Sequence, residues 1–279
     1  MEQYIPTADV AWTAQFATVF NEGSNVYPRG KGTREILNGH CVIDMTRPIV
    51  TNPGRNLGYR FMVREAYWIL TGCNDVSSIG NWSKQIANFS DDGVFFFGAY
   101  GPRIIAQLPY VIRAMTSDPE TRQAVLTIWR ESPYVSKDIP CSITCQFLIR
   151  GGHLNVFLNM RSSDLWLGVP YDWFNFTMLG TYVALLLRDH CGMSAIKLGN
   201  LYYSAASCHY YLKDEPQFLQ LANNVREYKP LSLDDLTNPQ HLINNLEMLS
   251  LGLEGSSIFT ETLDWKEYRR HDDVTPNSK

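Results

Sequence analysis

A chain of 279 residues with 45% hydrophobic content can bury one substantial core, as one large domain or two small ones. Its net charge of −4 excludes a generally basic surface, so general attraction to nucleic acids or to membranes is not expected. The N-terminus lacks a basic start followed by an apolar run, and no stretch approaches ~18 apolar residues in a row. We therefore expect neither a signal peptide nor a membrane span, and a cytoplasmic location.

Six cysteines stand at positions 41, 73, 141, 145, 191 and 208. Their spacing is not dense and no export signal is evident, so reduced thiols are expected rather than a disulfide framework. Cys141 and Cys145 are close in sequence, but no second Cys/His pair follows at the spacing of zinc ligands. No metal site is predicted.

Hydrophobic periodicity predicts the elements of the first half of the chain. Apolar residues at helical spacing indicate a helix over residues 8–22 and another over residues 56–71, which Gly72 ends. The Gly-rich run at residues 29–33 lacks the spacing of a phosphate-binding P-loop. Residues 94–97 indicate a short buried strand or a loop, and residues 104–116 indicate a helix that stops near Pro119.

The second half combines strands and helices. β-rich runs predict strands at residues 124–129, 143–149, 153–160 and 196–203, and Arg150-Gly151-Gly152 between the middle two is a hairpin signal. Helices are predicted over residues 172–189 and Gln217–Tyr228. With no repeat and no convincing linker, residues 1–268 are predicted to form one α+β domain. The polar tail, residues 269–279, is expected to be disordered.

The chemically informative residues lie between Pro140 and Asp172. Cys141 follows the proline and stands twenty residues before the run Arg161-Ser162-Ser163-Asp164. Most free cysteines are small buried hydrophobic residues, so composition alone favours a core position for Cys141 over a nucleophile. A guanidinium and a serine hydroxyl suit a phosphate, and a nearby cation favours the thiolate. For an isolated Arg161, a surface side chain at a strand end is the simpler alternative.

This combination resembles the active-site core of the thymidylate synthase family, and ordered matches run from about Arg29 to Tyr211. One position departs from the synthase pattern, because Asp172 stands where a synthase places an asparagine that reads uracil. That departure is the pattern of the deoxycytidylate (dCMP) hydroxymethylase branch. The resemblance implies a mixed β-sheet packed with helices and a homodimer formed through the sheet.

The resemblance also implies roles for individual residues. Those that would act in catalysis are Cys141 as nucleophile, Glu65, Asp172 and Tyr100. Those that would bind the nucleotide are Arg29, Arg122, Arg161, Ser162, Asp164, Gly168, His209 and Tyr211. Those that would contact the folate are Trp82, Arg55 and Asp164. Arg122 would reach the phosphate site of the neighbouring subunit, although Gln123 replaces the second arginine that the family usually has there.

Asp172 is the residue from which a base can be predicted. Cytosine presents a bare N3 and an amino group, and a carboxylic acid can donate to the first and accept from the second. It could also pass a proton to N3 as the thiolate attacks carbon 6. The alternative is an aspartate that caps a helix ahead of Trp173. Glu65 has an alternative too, since a glutamate on an amphipathic helix is usually solvated.

The resemblance implies a reaction in which Cys141 adds to carbon 6 of dCMP and carbon 5 takes a one-carbon unit from 5,10-methylenetetrahydrofolate. Addition of water then gives 5-hydroxymethyl-dCMP and tetrahydrofolate. The alternatives are a methyltransferase that forms 5-methyl-dCMP by hydride transfer, a hydroxymethylase acting on CMP, and a non-catalytic nucleotide-binding protein. Such enzymes make modified DNA precursors, often for a bacterial virus, whose protein would act in the host cytoplasm.

Overall fold

The computed structural model describes residues 5–83, 85–131, 135–221, 225–253 and 258–259. Its centre is a mixed sheet in the order β1-β2-β6-β5-β4-β3. The strands are β1 (Ser24–Val26), β2 (Thr33–Asp44), β3 (Val125–Thr127), β4 (Ser142–Arg150), β5 (His153–Asp164) and β6 (Lys197–Tyr211). Only β5 and β6 pair in parallel among these strands; the other neighbours are antiparallel. The predicted α+β class with a mixed sheet is confirmed.

Helices pack around this sheet. They are α1 (Ala8–Glu22), α2 (Tyr59–Leu70), α3 (Ser77–Gly80), α4 (Tyr100–Ser117), α5 (Val169–Cys191), α6 (Glu215–Leu219) and α7 (Pro239–Leu251). Among the described residues, no helix is long and apolar enough to cross a membrane.

Helix α5 lies in the core and packs against strands β5 and β6 of the sheet. Nearly all its side chains from Trp173 to Leu187 are buried, so its sequence is apolar all round rather than on one stripe. At Gly180 a β-carbon would lie 2.6 Å from Met45 and 2.7 Å from Val156. The glycine thereby lets the helix approach β5 closely.

Most predicted elements are found. The helix at residues 8–22 has the predicted bounds, the helix predicted at 56–71 and the strand predicted at 124–129 are shorter, and the remaining strands and the helices α4 and α5 are longer than predicted. The helix expected at Gln217–Tyr228 is wrong: it ends at Leu219, and residues 225–228 are not helical. Tertiary bonds explain this, because Arg226 N–H donates to Thr51 Oγ1 at 2.9 Å and the Tyr228 hydroxyl accepts from Ile49 N–H. Residues 94–97 form a loop with one isolated bridge, between Asp75 and Phe95. The tail at residues 269–279 lies outside the described residues.

Candidate active site

A cavity of about 430 Å³ opens where β5 and β6 end, beside the first turn of α5. It brings together most of the residues that the sequence singled out. These are Arg29, Glu65, Tyr100, Cys141, Arg161, Ser162, Asp164, Gly168, Asp172, His209 and Tyr211. They come from seven separate elements or loops of the chain, so only the tertiary fold assembles them.

Cys141 sits just before β4, opposite Arg161 of the neighbouring strand. Arg161 N–H donates to the Cys141 carbonyl at 2.9 Å, and the guanidinium donates to the carbonyls of Pro140 and Ile139 at 2.8 and 3.0 Å. These bonds hold guanidinium Nη2 3.6 Å from Cys141 Sγ. Burial raises the pKa of the Cys141 thiol, while the positive charges of Arg161 and Arg29 lower it. The cations thus partly offset the cost of forming a buried thiolate.

Arg29 reaches the cavity from a strained turn. Its backbone is left-handed, with φ 52° and ψ 34°, and Gly30 follows with φ 74°. Non-glycine residues in this region cost free energy and are found most often where function requires the geometry. The turn places a second guanidinium, alongside Arg161 and the hydroxyl-bearing Ser162, in the same cavity. Two guanidinium groups and a hydroxyl form a suitable receptor for a phosphate.

The first turns of α5 present three lining residues on one face. Gly168, Asp172 and Asn175 are four and three residues apart, and helical spacing aligns them. The interpretation of Asp172 as a helix cap is wrong, because Gly168 is the cap and the helix already begins at Val169. Asp172 lies inside the first turn, and its N–H donates to the Gly168 carbonyl at 3.0 Å.

Asp172 carries the most perturbed carboxyl of the cavity. Burial raises its pKa well above the usual range, and the charges of Glu65 and Asp164 raise it further. The raised pKa favours the carboxylic acid form of the side chain, which has one donor and one acceptor. A β-carbon at Gly168 would lie 3.3 Å from Asp172 Oδ2, so the glycine leaves this carboxyl uncrowded.

Glu65 enters from α2 and is bonded across the cavity floor. Asn175 Nδ2 donates to its Oε2 at 2.7 Å. Burial raises the pKa of Glu65 to about 7, although the bond from Asn175 pulls in the other direction. The solvated alternative for Glu65 is wrong, since the carboxyl lines the cavity rather than the outer surface. A carboxyl poised near neutrality can both take and return a proton.

Tyr100, at the start of α4, contacts the cysteine segment. Its hydroxyl accepts from Ser142 N–H at 3.3 Å. Burial raises the pKa of Tyr100, so it stays a neutral hydroxyl that can donate into the cavity. On β6, His209 and Tyr211 are two residues apart and so share one strand face, and their rings meet edge to face at 5.7 Å.

Three predicted residues lie elsewhere in the described structure and do not line this cavity. Arg55 is buried, with 3% of its surface exposed, and Nε donates to the Trp166 carbonyl at 2.7 Å. Trp82 lies under the Arg64 guanidinium and donates to the Ser250 carbonyl. Arg122 is exposed between α4 and β3. Their folate and cross-subunit roles stay predictions.

The cavity also contains residues that sequence reasoning missed. Asn175 could have been found from its helical spacing to Asp172. Asp138 had no such signal: its Oδ2 accepts from Gly98 N–H at 2.7 Å, a contact between segments forty residues apart. An apolar wall beside Glu65 is formed by Trp68, Ile69, Ile86, Phe89 and Phe96. Among the described residues, no group of three or more His, Cys, Asp or Glu side chains is arranged to hold a metal.

Comparison with known proteins shows to which family the chain belongs. A sequence profile described as thymidylate synthase matches residues 11–258. The chain belongs to the thymidylate synthase family. The match extends beyond the Arg29–Tyr211 range in which the resemblance was seen, and includes α7.

Two bacteriophage proteins are similar over part of their lengths. A deoxyuridylate hydroxymethyltransferase of Bacillus phage SP01 is 32% identical over 222 residues, covering 71% of this chain and 55% of the phage protein. A deoxyuridylate hydroxymethyltransferase of Pseudomonas phage M6 is 34% identical over 134 residues, covering 44% of this chain and 38% of that protein. This chain thus spans about half or less of the curated relatives it matches.

Proposed function

We propose that the protein is a folate-dependent hydroxymethyltransferase that acts on carbon 5 of a deoxypyrimidine monophosphate. We further propose that the base of this nucleotide is cytosine. The observation that carries the base assignment is the position of the Asp172 carboxyl in the cavity that contains Cys141, where burial raises its pKa well above the usual range. Family membership and the names of the two phage relatives support one-carbon transfer with a hydroxymethyl product.

The nucleotide would lie with its phosphate on Arg29, Arg161 and Ser162, where the guanidinium groups cluster. Its base would then rest between Cys141 and Asp172. As the Cys141 thiolate forms a bond to carbon 6, electron density moves toward N3 of cytosine. The Asp172 O–H proton passes to N3, which leaves carbon 5 as a neutral carbon nucleophile.

The apolar wall fits a flat aromatic ring stacked next to the base, since its side chains are aliphatic and aromatic and adjoin Glu65. Methylenetetrahydrofolate, when bound there, supplies the one-carbon unit that carbon 5 accepts. Glu65, with a pKa raised to about 7 and oriented by Asn175, is placed to take a proton from the water that becomes the product hydroxyl. Loss of the carbon 5 proton, with departure of tetrahydrofolate, leaves a methylene group on carbon 5 for that water to attack. Release of Cys141 from carbon 6, with return of the N3 proton to Asp172, then restores the aromatic ring.

Deoxyuridylate is the second candidate, because both phage relatives are named for it. A protonated carboxyl can pair with uracil as well, accepting from N3–H and donating to the carbonyl at carbon 4. The two bases differ in what the reaction asks of Asp172. Uracil N3 already carries a proton, whereas cytosine N3 must receive one.

The test is to incubate the protein with methylenetetrahydrofolate and dCMP, dUMP or CMP, and to read product masses. We expect a gain of one CH2O unit on dCMP. In Asp172→Asn, turnover of dCMP should fall about 10²-fold or more, since an amide has no proton to transfer, while turnover of dUMP should fall less. Asp189→Asn, on the same helix but outside the cavity, is the matched control.

The other outcomes are decisive. A gain of CH2 on the base would replace hydroxymethylation by methyl transfer, and turnover of dUMP alone would replace cytosine by uracil. Preferred turnover of CMP would move the substrate to the ribonucleotide. If none of the three nucleotides is converted, a nucleotide-binding protein becomes the better account.

A further inference from the structure

A line of side chains leads from β2 to the cavity through His209. Ser207 and His209 project from the same face of β6, and Ser207 Oγ lies 3.2 Å from His209 Nδ1. The Ser207 hydroxyl also donates a hydrogen bond to the Glu35 carboxyl group. Glu35 pairs directly opposite His209 in the antiparallel register of β2 and β6, which explains how its carboxylate reaches Ser207.

The number of available protons fixes the direction of these bonds. The single Ser207 proton is directed to Glu35, whose carboxyl oxygen is the acceptor of this bond. Ser207 Oγ then has only lone pairs left for the histidine, and Nδ1 must be the donor. Since a neutral imidazole carries one N–H, its Nε2 is left as an acceptor.

The position of His209 decides what Nε2 meets. The ring lines the cavity and is 8% exposed, and Tyr211 stands edge-on beside it. Within the described part of the chain, no side chain or backbone group bonds to Nε2. Asp164, the neighbouring carboxyl on β5, interacts electrostatically with His209, and its Oδ1 accepts a hydrogen bond from Trp166 N–H at 2.9 Å. The lone pair of Nε2 is therefore available to a ligand.

The resemblance to the family already implies that His209 holds the sugar hydroxyl of the nucleotide. We propose that Glu35 and Ser207 are positioning residues, which keep His209 as the Nδ1–H tautomer so that Nε2 can accept that hydrogen bond. This rests on the proposed function, because it needs a nucleotide in the cavity. In a 2′-deoxynucleoside 5′-monophosphate the one free sugar hydroxyl is at carbon 3′. These hydrogen-bonded residues, the Glu35–Ser207–His209 relay, thus select a 3′-hydroxyl that can donate. They reject nucleotides whose 3′-oxygen is phosphorylated or joined to another nucleotide.

The tautomer is tested directly by ¹⁵N NMR of His209 in the ligand-free full-length protein. We expect a protonated Nδ1 in the wild type. In Ser207→Ala the other tautomer should gain population, and Glu35→Ala, which frees the Ser207 proton, should change it in the same direction. Ser207→Thr keeps the hydroxyl and should behave as the wild type. An Nε2–H tautomer in the wild type, or the same tautomer in all four proteins, overturns the proposal.

Equilibrium binding of dCMP and of its 2′,3′-dideoxy analogue supplies the second readout. The wild type should bind dCMP about tenfold more tightly than the analogue, a preference that Ser207→Ala should largely lose. In turnover the variant should raise KM and leave kcat nearly unchanged. Ser204→Ala removes another serine of β6, bonded to Asn159 at 2.8 Å outside the cavity, and should keep the preference. An undiminished preference in Ser207→Ala contradicts the relay.

Failure of the proposed function gives a different pattern. If the wild type binds neither nucleotide, the function is wrong, and the sugar contact falls with it even where NMR shows the expected tautomer. If it binds and converts dCMP while Ser207→Ala keeps the full preference for the 3′-hydroxyl, only the relay is wrong.

Discussion

The guanidinium of Arg161 lies beside the thiol of Cys141, with Nη2 and Sγ 3.6 Å apart. Burial raises the pKa of this thiol, and the charge of Arg161 is the largest influence in the opposite direction. The group that would receive the phosphate thus also stabilises the thiolate. One residue is placed to couple binding of the nucleotide to formation of the nucleophile.

Replacing Arg161 with glutamine should slow alkylation of Cys141. Loss of the positive charge raises the thiol pKa further, so at pH 8 the thiolate fraction should fall roughly tenfold. The rate of iodoacetamide modification, followed on the Cys141 peptide by mass spectrometry, measures this. Arg161→Lys keeps a charge and should fall between the two, whereas Arg150→Gln, exposed at the hairpin, should react as the wild type. Equal rates for all four proteins would contradict the electrostatic role.

Asp138 should have the opposite influence on the same thiol. Its negative charge raises the pKa of Cys141, so Asp138→Asn should lower that pKa and speed alkylation at a fixed pH several-fold. The amide can still accept from Gly98 N–H, which keeps the segment in place. If Asp138→Asn is alkylated more slowly than the wild type, or at the same rate as the wild type throughout pH 7 to 9, Asp138 does not act on the thiolate. The double variant with Arg161→Gln should restore an intermediate rate.

How much of this site the sequence predicts depends on which contacts are local. The pairing of Cys141 with Arg161 follows from one hairpin, because the turn at residues 151–152 lies midway between them. The cavity face of α5 follows from helical spacing. Asp138 and Gly98 meet only through tertiary packing, and no pattern in either segment indicates the partner. Arg55 also shows that sequence patterns do not indicate distant contacts, because its buried position depends on a hydrogen bond to Trp166, over a hundred residues along the chain.

Glu65 should make the folded protein less stable as the pH rises. Burial raises its pKa from the usual 4.5 to about 7, so the folded state holds a proton that the unfolded state releases. Stability is therefore greatest below about 4.5 with respect to this group and declines as the pH rises toward and past 7, by about 3 kcal/mol at most.

Urea unfolding of Glu65→Gln should show this directly. The variant cannot ionise, so the wild-type decline between pH 5 and 8 should be much reduced, and above pH 7 the variant should be the more stable protein. Its turnover should nevertheless fall about 10²-fold, if Glu65 moves a proton in the reaction. Glu22→Gln, exposed at the end of α1, should change neither property. A variant with the full pH slope of the wild type would place the titration on another group.

Arg122 allows a test of the homodimer expected from the family. It is exposed on the described chain, away from the cavity of its own subunit. If it completes the neighbour's phosphate site, Arg122→Glu and Cys141→Ser should each be inactive alone but complement each other when mixed. In a heterodimer, one site combines an intact Cys141 with the partner chain's Arg122, so a random 1:1 mixture should recover roughly a quarter of wild-type activity.

Refolding the two variants together allows the subunits to exchange, and sedimentation velocity checks that they pair. If the mixture forms dimers but stays inactive, Arg122 does not serve the neighbouring site. A monomer at assay concentrations with full activity would remove the dimer from the mechanism altogether.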